Sequence, residues 1–439
     1  MIFLVKVIKF GGTSLCSPHA FKRVKTVCVG QKGTKFVVVS APGKRFKDDV
    51  KVTDLLFLTW AHRQYGGQYT QILATVKQRF TAIRDALKID YDLDGAFSEI
   101  QSKIKNGCSQ AYLVSRGEYL CGKLLSIYLG YGFIDSKDFL IFDREGSVSF
   151  EKSYEAFQRL FKDKNTVVPG FYGSYSNGEM ALLERDGSNE TGGFLARFLE
   201  ADAYDIRSDV SGIMSANPDI VANPRLIRSL SFSELNSLDY LNAKVISPSA
   251  VWMLEGSKTK IRVLNTFKRS SGTTIGKATK NQKMPIAIGG KGGFISLTAD
   301  FTQKYDLLLA VKNLTELFID LSIEPESLLL DERTLRLTLS NKITEGQICD
   351  VEKLLKDQSG LKGLITDKNF AIVSIVGHNF CNKNTALQRV VDLTRSLGVR
   401  VKWIRYSADK SAVILGVEEK LLKKTISGLY NGLMIKNME

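Results

Sequence analysis

Histidine is scarce in this sequence. His19, His62 and His378 are the three histidines among 439 residues, and no two of them lie near each other in the chain. A histidine-centred metal site and a Ser-His-Asp triad therefore have little support. The six cysteines lack the paired spacing typical of metal ligands, so we expect reduced structural thiols rather than a metal site or a disulfide framework.

Long hydrophobic runs are also missing. No uninterrupted apolar stretch approaches the length of about 20 residues that crosses a bilayer, and residues 1–4 lack the basic flank and cleavage site of a signal peptide. We therefore expect a cytoplasmic protein with no membrane partner.

Positive charge is abundant but dispersed. The formal charge is +15 at pH 7, yet the chain has no long basic run and no basic motif interleaved with aromatic residues. A solvated surface explains this charge better than nucleic-acid binding, so nucleic acid is not an expected partner. Attraction of anionic nucleotides and dicarboxylates would be a secondary benefit.

The length of the chain and the order of its predicted strands and helices indicate an α/β fold with more than one domain. A chain of 439 residues is too long for one compact core, so two or three domains are expected. Apolar runs at residues 5–10 and 35–40 flank a stretch with helical spacing at 20–30. This order predicts a parallel sheet, in which ligands bind at the carboxyl ends of the strands. Lys9 and Ser40 fall at such ends.

A glycine-rich turn, Lys9-Phe10-Gly11-Gly12-Thr13-Ser14, closes the first predicted strand. Without Cβ atoms, Gly11 and Gly12 allow backbone N–H groups to approach a ligand closely. These amides, the Lys9 ammonium and the start of the next helix would together form a polyphosphate site. The lysine precedes the glycines, so this is not a Walker-type P-loop. The alternative is an ordinary strand-to-helix turn with a solvated lysine.

Two further helices carry candidate ligand residues. Thr53 or Asp54 would begin a helix predicted from residue 55, so Thr53 is either an N-cap or a substrate contact. Gly117 lies inside a predicted helix, where glycine is unfavourable by about 1 kcal/mol, which indicates close packing or ligand approach. The adjacent Glu118 is then either a ligand contact or a surface charge.

A second glycine-rich loop, residues 169–173, follows a predicted strand that begins at Thr166. Arg185 precedes a helix predicted at residues 190–200. Its guanidinium could clamp a carboxylate through two parallel hydrogen bonds, which lysine could not reproduce.

Several ordered motifs together resemble the aspartokinases, members of the amino acid kinase superfamily. They are Lys-Phe-Gly-Gly-Thr-Ser at 9–14, Ser-Ala-Pro-Gly-Lys-Arg at 40–45, Lys-Val-Thr-Asp at 51–54, Ser-Arg-Gly-Glu at 115–118 and Pro-Gly-Phe-Tyr-Gly at 169–173. The resemblance implies an α/β fold over residues 1–283, a three-layer αβα sandwich with a mostly parallel sheet. It also implies tandem ACT domains of βαββαβ-like form at residues 284–365 and 366–439.

The resemblance further implies an activity. The expected reaction is ATP-dependent phosphorylation of the side-chain carboxylate of L-aspartate to 4-phospho-L-aspartate, at the start of aspartate-family amino acid biosynthesis, with Mg²⁺ carried by ATP rather than by a protein metal site. Catalytic roles are implied for Lys9, Gly11 and Gly12. Aspartate contacts are implied for Ser40, Thr53, Glu118, Arg185 and Ser188. Nucleotide contacts are implied for Lys9, Gly12, Ser14, Ser208, Asp209, Met214 and Lys244.

Three residues depart from the family pattern. Asp186 stands in place of a glycine, Asn189 in place of an aspartate, and Asp219 in place of an arginine expected to reach the nucleotide phosphates. Replacing an attractive contact by a repulsive one could cost a few kcal/mol. Two alternatives therefore stay open: a degenerate, non-catalytic or regulatory paralogue, and a kinase for a related amino acid carboxylate.

The C-terminal part has two similar segments, at about 291–358 and 369–432, each read as strand, helix, strand, strand, helix. Such units resemble ACT domains, which implies an amino acid effector and a homodimer or a dimer of dimers. Residues 331–333 and 376–380 lack the small residues of lysine-inhibited relatives, so lysine feedback is not expected. The Ser-, Gly- and Lys-rich stretch at 268–283 predicts a linker between the catalytic and C-terminal parts.

Overall fold

The computed structural model describes residues 4–184, 187–238, 246, 251–276, 284–340, 342–383 and 385–435. The chain divides into two compact units. Unit 1 comprises Met1–Ile213, Leu226–Leu235 and Lys244–Thr279, and unit 2 comprises Met214–Arg225, Asn236–Ala243 and Lys280–Glu439.

The N-terminal two thirds of the described chain contain both strands and helices. The strands are β1 (Val5–Phe10), β2 (Thr34–Val39), β3 (Gly132–Phe133), β4 (Ile141–Phe142), β5 (Thr166–Pro169), β6 (Tyr172–Tyr175), β7 (Met180–Leu182), β8 (Ala203–Ser208), β9 (Ser229–Ser231), β10 (Lys260–Asn265) and β11 (Thr273–Gly276). The helices are α1 (Pro18–Val29), α2 (Val52–Gln64), α3 (Thr70–Leu87), α4 (Leu93–Lys105), α5 (Gln110–Leu129), α6 (Phe150–Leu160), α7 (Ser188–Phe198) and α8 (Phe232–Ser237).

The main sheet of unit 1 is mostly parallel. Among the described residues it has eight strands in the order β3-β5-β2-β1-β8-β10-β11-β9, and the β10–β11 pair is antiparallel. The central strands β1 and β2 are buried apolar runs rich in valine, as expected for parallel strands covered on both faces. The predicted α/β architecture with a mostly parallel sheet is confirmed.

Helices cover both faces of this sheet. A Cβ atom added to Gly122 of α5 would lie 3.5 Å from Val39, whereas one added to Gly170 would lie between Ser188 of α7 and Val38. Successive residues of a strand point to opposite faces, so α5 and α7 lie on opposite sides of β2. This arrangement is the predicted three-layer sandwich.

Several element boundaries differ from the sequence prediction. The helix predicted from residue 55 begins at Val52 and the helix predicted from 190 begins at Ser188. Each predicted start was therefore two or three residues late, because polar residues that suggested a cap lie in the first turn. The predicted linker was wrong at Thr273–Gly276, since these residues form β11 against β10; residues 277–283 lie outside the described residues.

Unit 2 contains the predicted order of elements twice. In sequence they are β12 (Ala287–Phe301), α9 (Lys304–Asp320), β13 (Ser327–Asp331), β14 (Thr334–Ser340), α10 (Glu345–Lys356), β15 (Leu361–Val376), α11 (His378–Cys381), α12 (Ala386–Ser396), β16 (Val401–Tyr406), β17 (Ala412–Glu418) and α13 (Leu422–Tyr430). The short α11 was not predicted.

The strands of unit 2 form one antiparallel sheet. In the described part of the chain its order is β13-β14-β12-β15-β17-β16. Two hydrophobic cores pack on it, one around Leu297, Leu314 and Leu337 and the other around Val373 and Leu415. The repeated architecture agrees with paired C-terminal regulatory modules. The domain boundaries at residues 283 and 365 stay predictions, and β15 runs across the second of them.

No helix within the described residues is both long and apolar enough to span a bilayer.

Candidate active site

Unit 1 contains a cavity of about 710 Å³ at the carboxyl ends of its parallel strands. The strand register explains why polar side chains converge there. Lys9 of β1 lies opposite Val38 of β2 and Ile206 of β8. Ser40 lies two residues after Val38, and Ser208 lies two residues after Ile206. Because residues two apart along a strand point to the same face, the side chains of Lys9, Ser40 and Ser208 all point to the face covered by α7. The predicted site residues that line the cavity are Lys9, Gly11, Gly12, Ser40, Thr53, Glu118, Ser188, Ser208 and Asp209.

The glycine turn closes tightly against a second loop. The Gly43 amide donates a 2.8 Å hydrogen bond to the Gly12 carbonyl oxygen. A Cβ atom on Gly12 would lie 2.9 Å from the Ala41 carbonyl oxygen, and one on Gly43 would lie 2.6 Å from the Gly12 carbonyl carbon. Real Cβ atoms do not approach backbone so closely, so both positions require glycine.

The Gly11 amide does not have its predicted role. Its N–H donates a 2.8 Å hydrogen bond to the Arg207 carbonyl oxygen, which continues the β1–β8 ladder past the end of β1. This prediction is corrected because the sheet uses the N–H group that was assigned to phosphate. A Cβ atom on Gly11 would make only ordinary contacts, 3.6 Å from the Arg207 carbonyl oxygen and 3.9 Å from Lys9 Nζ, so packing does not require glycine there.

Lys9 is the cation at the centre of the strand ends. Its residue is only 7% exposed although it lines the cavity. The alternative of a solvated surface lysine is therefore wrong for this residue. A buried ammonium beside a glycine turn is well placed to attract an anionic ligand.

Two hydroxyl groups meet on the other side of the cavity. Ser40 Oγ and Ser188 Oγ lie 2.7 Å apart, joining the end of β2 to the first residue of α7. Gly187 is the N-cap of α7 and has no side chain to cap the helix, and the first two residues of the helix, Ser188 and Asn189, line the cavity. An uncapped helix N-terminus favours a carboxylate or phosphate ligand.

Glu118 is buried in the cavity wall, with 3% exposure. Burial raises the pKa of this carboxyl to about 8, against weaker opposing effects from a backbone hydrogen bond with Ala41 and from the positive charge of Lys9. Its Oε2 atom has no hydrogen-bond partner among the described residues. A buried carboxyl group with an unsatisfied oxygen is suited to a cationic ligand group, which would favour its ionised form, and the surface-charge alternative is wrong.

Gly117 is explained by packing. A Cβ atom there would lie 2.9 Å from the Ala41 side chain and 3.2 Å from Leu56. The glycine therefore lets α5 approach the loop after β2, and this approach brings Glu118 to the cavity.

Thr53 lies in the first turn of α2, and Lys51 is the N-cap without a side-chain cap. The N-cap alternative for Thr53 is therefore wrong. Thr53 and Asp54 both line the cavity from this first turn.

Ser208 is the last residue of β8, and Asp209 follows it. Asn265 holds this turn, because its Nδ2 donates a 2.7 Å hydrogen bond to the Asp209 carbonyl oxygen. The Asp209 side chain is exposed at the cavity, as a group that meets a nucleotide would be.

Comparison with known proteins assigns the family. The model of the amino acid kinase family matches residues 5–265. A crystal structure of Clostridium acetobutylicum aspartate kinase is 30% identical to this chain with a TM-score of 0.85, and the match covers 98% of this chain and 100% of that one. The chain belongs to the aspartokinases of the amino acid kinase family.

Two further aspartokinases match over nearly their full lengths. Aspartokinase 3 of Bacillus subtilis (strain 168) is 25% identical over 454 residues, covering 97% of this chain and 98% of that protein. The structure of E. coli aspartokinase III in complex with aspartate and ADP shares the fold, with 19% identity, a TM-score of 0.80 and coverage of 98% and 99%.

Some residues predicted from the aspartokinase pattern do not line the cavity. Ser14 is fully buried, and its hydroxyl lies 2.7 Å from Thr266 Oγ1, so it joins the glycine turn to the end of β10. Met214 and Asp219 belong to unit 2. Arg185, Asp186 and Lys244 lie outside the described residues.

Asn189, one of the three departures from the aspartokinase pattern, does line the cavity. It is buried, and its Oδ1 atom has no hydrogen-bond partner among the described residues. Like Glu118, it presents a polar atom whose burial is unfavourable until a ligand meets it.

Sequence reasoning missed Lys44, Lys51 and Asp54 as cavity residues. Lys44 and Lys51 stand inside motifs that carry the family resemblance, but nothing in their own spacing distinguishes them from solvated lysines. The contact between Gly12 and Gly43, which places Lys44, cannot be read from either loop alone.

Proposed function

We propose that this aspartokinase transfers the terminal phosphoryl group of ATP to the side-chain carboxylate of L-aspartate, giving 4-phospho-L-aspartate for aspartate-family amino acid biosynthesis. The observation that carries the proposal is the composition of one cavity. Lys9 and the Gly11–Gly12 turn suit a polyphosphate, and Ser40 and Glu118 suit a small amino acid. Membership of the aspartokinases supports both halves of this assignment.

Phosphoryl transfer depends on positioning and charge neutralisation more than on covalent catalysis. Lys9 and the Gly12 amide would neutralise the charge of the moving phosphoryl group. Ser208, Asp209 and Lys244 would hold the nucleotide. No general base is required, because the side-chain carboxylate of aspartate is already ionised at neutral pH.

The remaining cavity residues would bind aspartate so that its side-chain carboxylate attacks in line. Glu118 would pair with the substrate ammonium, whose charge would favour the ionised form that burial disfavours. Ser40, Ser188 and Thr53 would donate hydrogen bonds to the carboxylates, and Arg185 would clamp one of them.

The residues present fit a Mg²⁺ ion carried by the nucleotide. No group of three or more His, Cys, Asp or Glu side chains suited to a metal occurs in the part of the chain that the structure describes. Asp209 carries a carboxylate, lines the cavity and comes directly after Ser208, which would contact the nucleotide. When bound, Mg²⁺ would neutralise phosphate charge.

Unit 2 is the proposed regulatory part. Its paired modules would bind an amino acid effector and would associate as a homodimer or a dimer of dimers. As a biosynthetic enzyme with small polar substrates, the protein would act in the cytoplasm.

The test is an assay with ATP, Mg²⁺ and hydroxylamine, which traps an acyl phosphate as a hydroxamate. L-Aspartate, L-glutamate and L-asparagine are compared as substrates. Hydroxamate formation that depends on L-aspartate is expected. Turnover with another carboxylate alone would assign a related kinase. No hydroxamate with any of them would assign the degenerate, non-catalytic paralogue that Asp186, Asn189 and Asp219 motivate.

A further inference from the structure

The loop of residues 43–51, between the Gly43 contact and the start of α2, brings two lysines to the cavity. Lys44 and Lys51 both line it, whereas Lys47 on the same loop does not. All three lysines are exposed, so burial does not distinguish them. What distinguishes them is where the loop backbone places each one.

A single buried arginine fixes both ends of this loop. Arg79 of α3 is 4% exposed, and it donates hydrogen bonds to the Gly43 carbonyl oxygen and, at 2.5 Å, to the Val50 carbonyl oxygen. Its guanidinium also lies 3.5 Å from the Asp49 carboxylate. The planar fork of arginine can hold two carbonyl groups at once, which a lysine ammonium does less well.

A second arginine completes the support inside the loop. Arg45 donates side-chain hydrogen bonds of 2.8 and 3.0 Å to the two oxygens of Asp49. These bonds hold the pKa of the Asp49 carboxyl well below its ordinary value, so Asp49 stays ionised between the two guanidinium groups. The 43–51 loop is therefore a braced structure.

The bracing places Lys44 directly after the residue that contacts the glycine turn. Gly43 is packed against Gly12 and Thr13, where an added Cβ atom would lie 2.6 and 2.7 Å from their backbone atoms. The Lys44 ammonium donates one long hydrogen bond of 3.3 Å to the Lys47 carbonyl oxygen, and an ammonium has three donors. Lys44 lines the cavity beside the turn that would receive the terminal phosphate.

A further cation of the lining, Arg207, is directed elsewhere. Arg207 donates to the Asn265 carbonyl oxygen, and its guanidinium lies 3.9 Å from the buried Asp205 carboxylate. The register pairs Arg207 with Phe10 rather than with Lys9, so its side chain points to the opposite face of the sheet. Of Lys44 and Arg207, Lys44 is therefore the better partner for Lys9 at the glycine turn.

We propose that Lys44 binds the terminal phosphate of the nucleotide, and that Arg79 is a positioning residue that holds the 43–51 loop so that Lys44 reaches it. This inference rests on the proposed function, since it assigns one more contact to the same nucleotide. Lys44 thus distinguishes ATP from ADP.

The test is calorimetric titration of wild type, Lys44→Gln and Lys47→Gln with Mg²⁺ and either the imido analogue of ATP or ADP. Loss of one charge-assisted hydrogen bond is expected to weaken binding of the ATP analogue by about 10-fold or more in Lys44→Gln. ADP binding should change by less than about twofold, because ADP lacks the phosphate concerned. Lys47→Gln should match wild type, and Lys44→Arg should retain most of the affinity because the charge is kept.

The outcomes separate this inference from the function itself. If wild type binds neither nucleotide, the proposed function fails. If wild type binds both and Lys44→Gln matches Lys47→Gln, or loses ATP analogue and ADP affinity equally, the Lys44 assignment is wrong. A raised KM for aspartate with unchanged nucleotide affinity would assign Lys44 to a substrate carboxylate and overturn the proposal.

The role of Arg79 is tested by the ratio of the affinity for the ATP analogue to the affinity for ADP. Arg79→Lys should lose part of the ATP-over-ADP preference while keeping ADP binding, since its effect passes through Lys44. A merely structural arginine would lower the melting temperature and leave the ratio unchanged. The double variant Arg79→Lys/Lys44→Gln should show no further loss of the ratio beyond Lys44→Gln alone; an additive loss would contradict the positioning role.

Discussion

The Gly43 amide nitrogen donates a hydrogen bond of 2.8 Å to the Gly12 carbonyl oxygen, and neither residue has room for a Cβ atom. This contact joins the loop after β1 to the loop after β2. Because Lys9 precedes one loop and Ser40 precedes the other, the contact sets the distance between the phosphate half and the amino acid half of the cavity.

Gly43→Ala should therefore damage catalysis more than folding. The new methyl group would push the two loops apart, and a displacement of about 1 Å between reacting groups can lower the rate by about 100-fold. We expect kcat/KM for hydroxamate formation to fall by at least that factor. Gly363→Ala is the matched control, since a Cβ atom there meets nothing within 4 Å. Equal activity of the two variants would show that the loop contact does not set the site.

The Ser40–Ser188 hydroxyl pair should act as one unit in aspartate binding. Each of Ser40→Ala and Ser188→Ala is expected to raise KM for aspartate by about 5-fold, the effect of one hydrogen bond. In the double variant, KM for aspartate should rise by less than the product of the two single increases, because the hydroxyls lie 2.7 Å apart and share partners. Ser98→Ala, on the exposed face of α4, is the control. Independent, multiplicative effects would mean that the pair is not coupled.

Glu118 should make the ligand-free protein less stable as pH rises. Burial raises the pKa of Glu118 from 4.5 to about 8, so between these values the native state holds a proton that the unfolded state has released. The free energy of unfolding therefore falls with increasing pH across this window. Glu118→Gln cannot titrate, so urea unfolding from about pH 5 to about pH 8 should show its stability rising relative to wild type.

The control for this series is Glu99→Gln, which removes an exposed carboxylate from α4. Its stability difference from wild type should stay nearly constant with pH. A constant difference for Glu118→Gln as well would mean that the carboxyl is not held protonated by burial.

Much of the fold and site followed from local signals. The valine-rich runs of β1 and β2 and the glycine turn after Lys9 are read from adjacent residues, because burial on both faces and the absence of Cβ atoms act locally. The start of α2 was misplaced because Thr53 and Asp54 resemble caps, although Lys51 occupies the cap position.

The parts that the sequence did not reveal depend on contacts between distant residues. Arg79 lies 36 residues from the Gly43 carbonyl oxygen that it binds, and nothing near Arg79 in sequence marks it as a loop support. The Gly11 amide was assigned to phosphate because the position of β8 beside β1 was unknown. Burial of Glu118 likewise depends on the approach of α5 to Ala41.

Lys9→Ala should abolish most turnover while leaving the fold intact. Removing one group that stabilises developing charge lowers kcat by about 100- to 1,000-fold. We expect a loss of at least this size in hydroxamate formation, with an unchanged circular dichroism spectrum. Lys260→Ala, an exposed lysine at the start of β10, should retain wild-type rates. A Lys9→Ala variant with near-normal rates would remove Lys9 from the mechanism.

The central claim is that the Lys9 and Gly12 end of the cavity receives the phosphates of ATP. Its most direct measurement is calorimetric titration of the magnesium-supplied wild-type protein with a non-hydrolysable ATP analogue, repeated with Lys9→Ala. The account predicts saturable binding to wild type and clearly weaker binding to the variant. Absence of any nucleotide uptake by the folded wild-type protein would contradict it.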